Sequence, residues 1–162
     1  MSTFIGAIFE EVKEEDKSDG IDFGEFKNKS ESDWTIPEAY MCLLLRSIYA
    51  DGVAKQVEAD YVRGLVARCR TFRNESQDSL AALNLRVKKR MEESMDPVAE
   101  ACEALPPDMH LCLFAHAVDI VLSDGELADA EQKFLDELIA KMKISDDQAK
   151  QIMRVIFAKN RW

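Results

Sequence analysis

One pattern occurs twice in this chain, and it constrains the fold more than any other feature. Residues 44–66 read LLRSIYADGVAKQVEADYVRGLV, and residues 117–139 read AVDIVLSDGELADAEQKFLDELI, 73 positions later. In each copy an apolar segment ends at Asp-Gly, and a glutamate six positions after the glycine opens a second apolar segment. Because an internal repeat defines architecture before detail, the sequence predicts two helix–turn–helix hairpins.

Two carboxylates stand at each turn: Asp51 and Glu58 in the first copy, Asp124 and Glu131 in the second. The glutamates fall in the first turn of a helix, where negative charge is favourable. The aspartates fall in a last turn, where the helix dipole makes a negative charge unfavourable by about 0.3–1 kcal/mol. Either each aspartate accepts backbone N–H bonds within its turn, or it binds a cation.

The cation hypothesis follows if the hairpins pack about a pseudo-twofold axis. Asp51, Glu58, Asp124 and Glu131 would then converge, and clustered carboxylates repel unless they are protonated, paired or bound to a metal. Oxygen ligands suit Ca²⁺ or Mg²⁺, and one histidine would admit Mn²⁺ or Zn²⁺. These four residues are therefore the candidate ligands of a divalent cation. Turn capping and salt bridges are the alternative, because structural uses of acidic residues are common.

Elsewhere, apolar residues at spacings of three and four predict helices, and no stretch alternates at period two for long enough to form a strand. Capping patterns predict helix starts at Thr35, at 74–77, at Asp96 and at Ser145. The predicted helices are 3–13, 35–49, 56–72, 76–95, 97–105, 109–122, 128–142 and a last one beginning near 145, with Ile152, Met153, Val155, Ile156 and Phe157 inward. The expected class is all-α, a compact bundle of about seven helices built on the two hairpins.

The chain has 162 residues, which fits a single folding unit. Residues 1–34 are predicted to be a helix and a polar linker packed on the domain, and 35–162 to be the helical domain, with repeats at about 37–72 and 110–145. Residues 14–25 imitate an EF-hand loop, but the glycine stands at loop position 7 instead of 6. A solvated linker is therefore favoured there.

Charge and cysteine usage narrow the range of expected partners and the expected cellular compartment. With 31 acidic and 21 basic residues the net charge is −10, which disfavours nucleic acid and anionic membrane surfaces as partners. It is compatible with cations and with protein partners. No apolar run approaches the roughly 20 residues that insert into a bilayer. Four cysteines without a CxxC motif indicate a reducing, cytoplasmic compartment. The oligomeric state stays open, and a dimer is compatible with the sequence.

The titratable side chains do not form a recognisable catalytic motif. GxSxG, P-loop and GxGxxG patterns are absent from the sequence, so a non-enzymatic role is expected. His116 lies three residues before Asp119 on an apolar segment, which favours a buried, hydrogen-bonded histidine over a ligand or general base. His110, at a helix start, is predicted to be exposed. Arg46 and Asp119, equivalent repeat positions of opposite charge, are a candidate ion pair.

The doubled pattern, IYADGVAKQVE and VLSDGELADAE, resembles the tellurite-resistance TerB family, and the resemblance covers about residues 37–157. It implies a compact all-α domain of about seven helices, bacterial and cytoplasmic, with an acidic, metal-binding patch and a link to tellurite or chemical stress. It does not imply catalysis. The first turn departs from the family pattern, because Val53-Ala54-Lys55 stands where the second copy has Glu126-Leu127. The metal assignment is therefore weaker at the first turn.

Three hypotheses follow. The leading one is a non-enzymatic stress-response module that senses or buffers a cation and contacts protein partners. The second is a structural interaction domain whose turn carboxylates are only caps. The third is a metal-dependent hydrolase that uses the four carboxylates, with His116 nearby.

Overall fold

The computed structural model describes residues 33–52 and 56–161, and within these ranges helices joined by turns and loops are the regular secondary structure, with no strand. Seven α-helices and one 3₁₀ turn are present there: α1 (Ile36–Ile48), α2 (Gln56–Val66), the 3₁₀ turn (Arg70–Phe72), α3 (Gln77–Glu93), α4 (Pro97–Ala104), α5 (Pro107–Val121), α6 (Asp129–Met142) and α7 (Asp146–Asn160). The predicted all-α class and helix number are confirmed. The predicted helix at 3–13 and the EF-hand-like stretch at 14–25 lie outside the described residues.

The first helices of the two repeats form the centre of the fold. Helix α1 packs against α3, α4 and α5, and α5 packs in turn against α6 and α7. The side chains of Leu43 and Leu44 in α1, and of Leu113 and Phe114 in α5, are fully buried. The two hairpins therefore share one hydrophobic core. Helix α4 connects them and packs on both α1 and α6. None of the described helices has the length and apolar character to span a bilayer.

Local capping places the start of α1 as the sequence predicts. The Glu38 N–H donates to Thr35 Oγ1 at 3.4 Å, and the Thr35 N–H donates to Glu38 Oε2 at 3.0 Å, which completes a capping box. The same Glu38 carboxylate accepts from Arg86 at 3.2 Å and from Arg90 at 3.3 Å, both in α3. One nearly buried glutamate thus caps the start of α1 and ties this helix to α3.

The two Asp-Gly turns have the same backbone geometry. Gly52 and Gly125 have φ values of +83° and +81°, and their N–H groups donate to Tyr49 O at 3.0 Å and Leu122 O at 3.1 Å. Left-handed φ favours glycine because a Cβ is strained there. Both glycines stop a helix, as predicted.

Replacing Gly125 with alanine is expected to lower the free energy of unfolding by about 1–2 kcal/mol, because an L side chain is strained at positive φ. A Cβ at this position meets no atom within 4 Å, so the cost is conformational and not steric. Gly64, inside α2, is the matched control: there alanine is expected to stabilise by about 0.5–1 kcal/mol. Urea unfolding measures both. If both alanine variants changed the free energy of unfolding in the same direction, this account of the turn would be contradicted.

Two sequence predictions were wrong in detail. The helix predicted for 56–72 ends at Val66, and the 3₁₀ turn that follows lets the buried Phe72 ring pack edge-on against Tyr40, with centroids 6.0 Å apart. Val155 and Phe157 in α7 were predicted to point inward but are 67% and 64% exposed. Only one face of helix α7 packs against the core, and Val155 and Phe157 lie to either side of that face.

Candidate functional site

The carboxylates at the turns lie at two depths. Glu58 and Glu131 are buried, with 0% and 1% of their surface exposed, whereas Asp51 is partly exposed and Asp124 is exposed. Glutamate is almost never fully buried unless it has partners, because removing a carboxylate from water is costly. The sequence signal, a negative charge in a first helical turn, does not reveal this burial.

At the second turn, part of the reason for burial is visible. Glu131 is the third residue of α6, and its Oε2 accepts the N–H of Ala128 at 2.8 Å. The N-cap residue Ala128 has no side-chain oxygen, so Glu131 supplies the side-chain cap of this helix. Asp124 Oδ1 accepts the Glu126 N–H at 3.1 Å, which forms an Asx turn. Glu58 occupies the same third position in α2.

Asp51, Glu58, Asp124 and Glu131 are the predicted ligands of a divalent cation. Across 33–52 and 56–161, no group of three or more His, Cys, Asp or Glu side chains is placed to hold a metal ion. Binding of a divalent cation by Asp51, Glu58, Asp124 and Glu131 therefore stays a prediction. The capping contacts show how Glu131 and Asp124 can serve the turn without a cation.

A second polar cluster, which we call the Asp119 cluster, joins three helices and was missed by the sequence reading. Asp119 in α5, only 4% exposed, accepts hydrogen bonds from the Tyr61 hydroxyl of α2 and from Lys159 Nζ of α7. Asn160 Nδ2 donates to its Oδ1 at 2.9 Å. Burial alone would raise the pKa of Asp119, but bonds from Lys159, Tyr61 and Asn160 outweigh it and hold the pKa below its usual value. The side chain is thus an anion.

The predicted ion pair between Arg46 and Asp119 was wrong, because the cationic partner of Asp119 is Lys159. Equivalent positions in two repeats need not be neighbours across the pseudo-symmetry. Lys159 follows Asp119 by 40 positions and carries no sequence motif. Only the packing of α7 on α5 brings the two charges together.

The two histidines are both hydrogen-bonded. His116 Nδ1 lies 2.8 Å from the Tyr40 hydroxyl, so the predicted hydrogen bond is present, although the ring is half-buried and not fully buried. Burial lowers the pKa of His116, although Asp119 opposes this, so the ring is neutral at pH 7. The prediction that His110 is exposed was wrong: it is half-buried, and its Nε2 and Nδ1 lie 3.0 and 3.3 Å from the carbonyl oxygens of Leu105 and Met142.

Stability is expected to fall as pH drops below about 6.5, the ordinary pKa of histidine. The folded pKa of His116 is lowered, so the unfolded chain binds the proton more readily and acid favours unfolding. In His116→Gln the slope between pH 7 and 5 should shrink. The further loss of stability below about pH 4 should remain, because it comes from Asp119 and Glu38, whose pKa values are lowered in the folded state. Urea titrations at stepped pH test this, and an unchanged slope would contradict it.

The fold and the turns together define a class: an all-helical domain of two hairpins, each with an Asp-Gly stop and a buried glutamate at the third position of the next helix. The family model described as "Tellurite resistance protein TerB" matches residues 37–154, which include both turns. The chain belongs to the TerB family, and the resemblance carried by its sequence is confirmed. No match to it was found among curated proteins or solved structures.

Proposed function

We propose that this chain is a non-enzymatic module of a cytoplasmic, bacterial response to tellurite or related chemical stress, which binds a divalent cation at its Asp-Gly turns and contacts protein partners. The observation that carries the proposal is the repeated pairing of a buried glutamate with a more exposed aspartate at each turn. Family membership links the chain to tellurite resistance.

The turn chemistry favours a cation over the tellurite oxyanion. The ligands on offer are carboxylate oxygens, and the chain carries a net charge of −10, so an anion would be repelled. The cap uses one of about four lone-pair sites of the Glu131 carboxylate, which leaves acceptor capacity for a hard cation. Each turn would act as its own site, with the second better supplied with acidic groups because it carries Glu126.

The non-enzymatic part of the proposal draws on the two buried cysteines and on His116. Burial raises the pKa of Cys42 and of Cys102 to about 12, so both thiols stay protonated and unreactive at neutral pH. The His116 ring hydrogen-bonds the Tyr40 hydroxyl, whose pKa burial raises strongly. These groups suit a packed core better than nucleophilic catalysis.

A purely structural interaction domain is the second candidate. The Ala128–Glu131 cap and the Asp124–Glu126 turn favour it, because they give two of the carboxylates a use without any cation. A carboxylate-metal hydrolase is the third. The three candidates differ in what they predict for the charge of Glu131 and Asp124.

Glu131→Gln separates charge from capping, because a glutamine at the third helical position accepts the same N-cap N–H bond. The variant is expected to fold like the parent chain. If a cation binds here, the parent should gain about 2.7 kcal/mol at a Ca²⁺, Mg²⁺, Mn²⁺ or Zn²⁺ concentration of 100 times the dissociation constant. Glu131→Gln should lose most of that gain. Thermal unfolding with and without metal and chelator measures it, and Asp136→Asn, an exposed acid of α6, is the control.

Three outcomes decide among the candidates. A parent chain that no divalent cation stabilises rejects the cation and leaves the structural domain. A metal-dependent shift that Glu131→Gln retains places the cation elsewhere. Metal-dependent hydrolysis of phosphoesters that is lost in Asp124→Asn would support the hydrolase.

A further inference from the structure

The outer flank of α7 carries an apolar groove. Met153, Arg154, Phe157, Ala158 and Arg161 line an open depression of about 430 Å³. A second one, of about 250 Å³, continues past Phe157 to Leu122 and Gly125. The Phe157 side chain is 64% exposed between the two. An exposed aromatic residue at the centre of a contiguous groove marks an interaction surface.

The groove is also basic, in a chain that is acidic overall. Arg154 and Arg161 line it, and Lys150 extends it toward the start of α7, where Asp146 is the one acidic lining residue of the adjoining depression among the described residues. The surface therefore combines apolar contact area with positive charge. Its best-matched partner is an amphipathic segment with acidic residues.

The N-terminal segment of the same chain has this chemistry. Its apolar residues at helical spacing are Phe4, Ile5, Ile8, Phe9 and Val12, and the acidic residues that accompany and follow them are Glu10, Glu11, Glu14, Glu15 and Asp16. An amphipathic helix in a groove is a common recognition mode, with anchors at i, i+3, i+4 and i+7. An isologous second copy would instead set one basic groove against another.

The linker length permits the contact. The described chain begins at Asp33, whose carbonyl oxygen accepts from Arg90 in α3 at 3.0 Å. Residues 17–32, extended at about 3.3 Å each, reach roughly 50 Å. A folded domain of about 130 residues has a radius of gyration of only about 14 Å. Tethering also gives the segment an effective concentration in the millimolar range.

We propose that the groove on α7 is the docking site of residues 3–16 of the same chain. The apolar stripe contacts Met153 and Phe157, and the acidic residues face Arg154 and Arg161. The segment thereby covers Phe157, which is more exposed than Tyr49, the other exposed aromatic side chain among the described residues.

Hydrogen–deuterium exchange of the full chain tests this docking. The amides of 4–12 should exchange more slowly than those of an unstructured peptide, and Phe157→Glu should speed their exchange about tenfold or more. Val155→Glu is the matched control: Val155 is equally exposed, at 67%, but lies roughly 160° away around α7. It should leave 4–12 protected, and neither variant should change exchange in α5.

Three results would overturn the proposal. The segment 4–12 could exchange freely in the parent chain, or the two glutamate variants could act alike. The parent could also sediment as a dimer that Phe157→Glu dissociates, which would assign the groove to a second copy. A double-mutant cycle of Ile8→Glu and Phe157→Glu adds an independent test: docking predicts non-additive losses of stability, and strict additivity contradicts it.

Discussion

Phe114→Ala is expected to lower the free energy of unfolding by about 3–5 kcal/mol. The Phe114 ring is fully buried in α5, which packs against α1, α6 and α7, so its removal leaves a cavity that rigid helices cannot close. A domain of this size has only about 5–15 kcal/mol of stability in total. The substitution should therefore shift the whole unfolding transition to much lower urea.

Because the two hairpins share one core, Phe114→Ala should also lower the stability of the first hairpin. Trp34, 2% exposed, donates from Nε1 to Glu100 at 2.8 Å and lies under the Arg90 guanidinium. Its fluorescence, followed in a Trp162→Phe background, should report the same midpoint as circular dichroism. Leu111→Ala, at a 37% exposed position of α5, is the control and should cost less than about 1 kcal/mol. Separate midpoints would show that the hairpins unfold independently.

Asp119→Ala is expected to destabilise the chain by roughly 2–3 kcal/mol. The substitution removes the acceptor of the half-buried Tyr61 hydroxyl, and leaving a buried donor unpaired costs about 1–3 kcal/mol. The Asn160 amide also loses its acceptor, but Asn160 is exposed and can bond water. Lys159 is 53% exposed and can be rehydrated, so it adds little. Asp119→Asn keeps an acceptor oxygen and should cost less than alanine.

The pH dependence of the free energy of unfolding tests whether the charge of Asp119 is responsible for its contribution. The pKa of Asp119 is lowered in the folded state, so its contribution is complete above the ordinary value near 3.8 and is lost as pH falls through the folded pKa. Asp119→Asn should remove that part of the acid loss. Lys159→Met, the control at the exposed partner, should cost less than about 1 kcal/mol near neutral pH. Equal losses at Asp119 and Lys159 would contradict the assignment of the cluster to the buried carboxylate.

Much of the fold could be predicted because its signals are local. Gly52 and Gly125 stop helices through their own backbone angles, and Thr35 and Ser145 begin helices through bonds that span three residues. The 73-residue repeat predicted the two hairpins and the family. Such features depend on a few neighbouring residues, so spacing and residue type suffice to find them.

Burial and long-range pairing could not be predicted in this way. A glutamate in a first helical turn looks the same in sequence whether it is exposed or, like Glu58 and Glu131, sealed from water. Phe157 continues the apolar composition of α7, yet it faces outward because α5 accepts only one stripe of that helix.

The sequence by itself determined the class, the repeat and the position of the Asp-Gly turns, because hydrogen bonds between near neighbours and the conformational freedom of glycine set them. The tertiary structure decided that Asp119 pairs with Lys159, 40 residues away, and that the turn glutamates are buried beside more exposed aspartates. Those outcomes depend on how whole helices pack, since packing alone sets which charges lose water and which side chains meet.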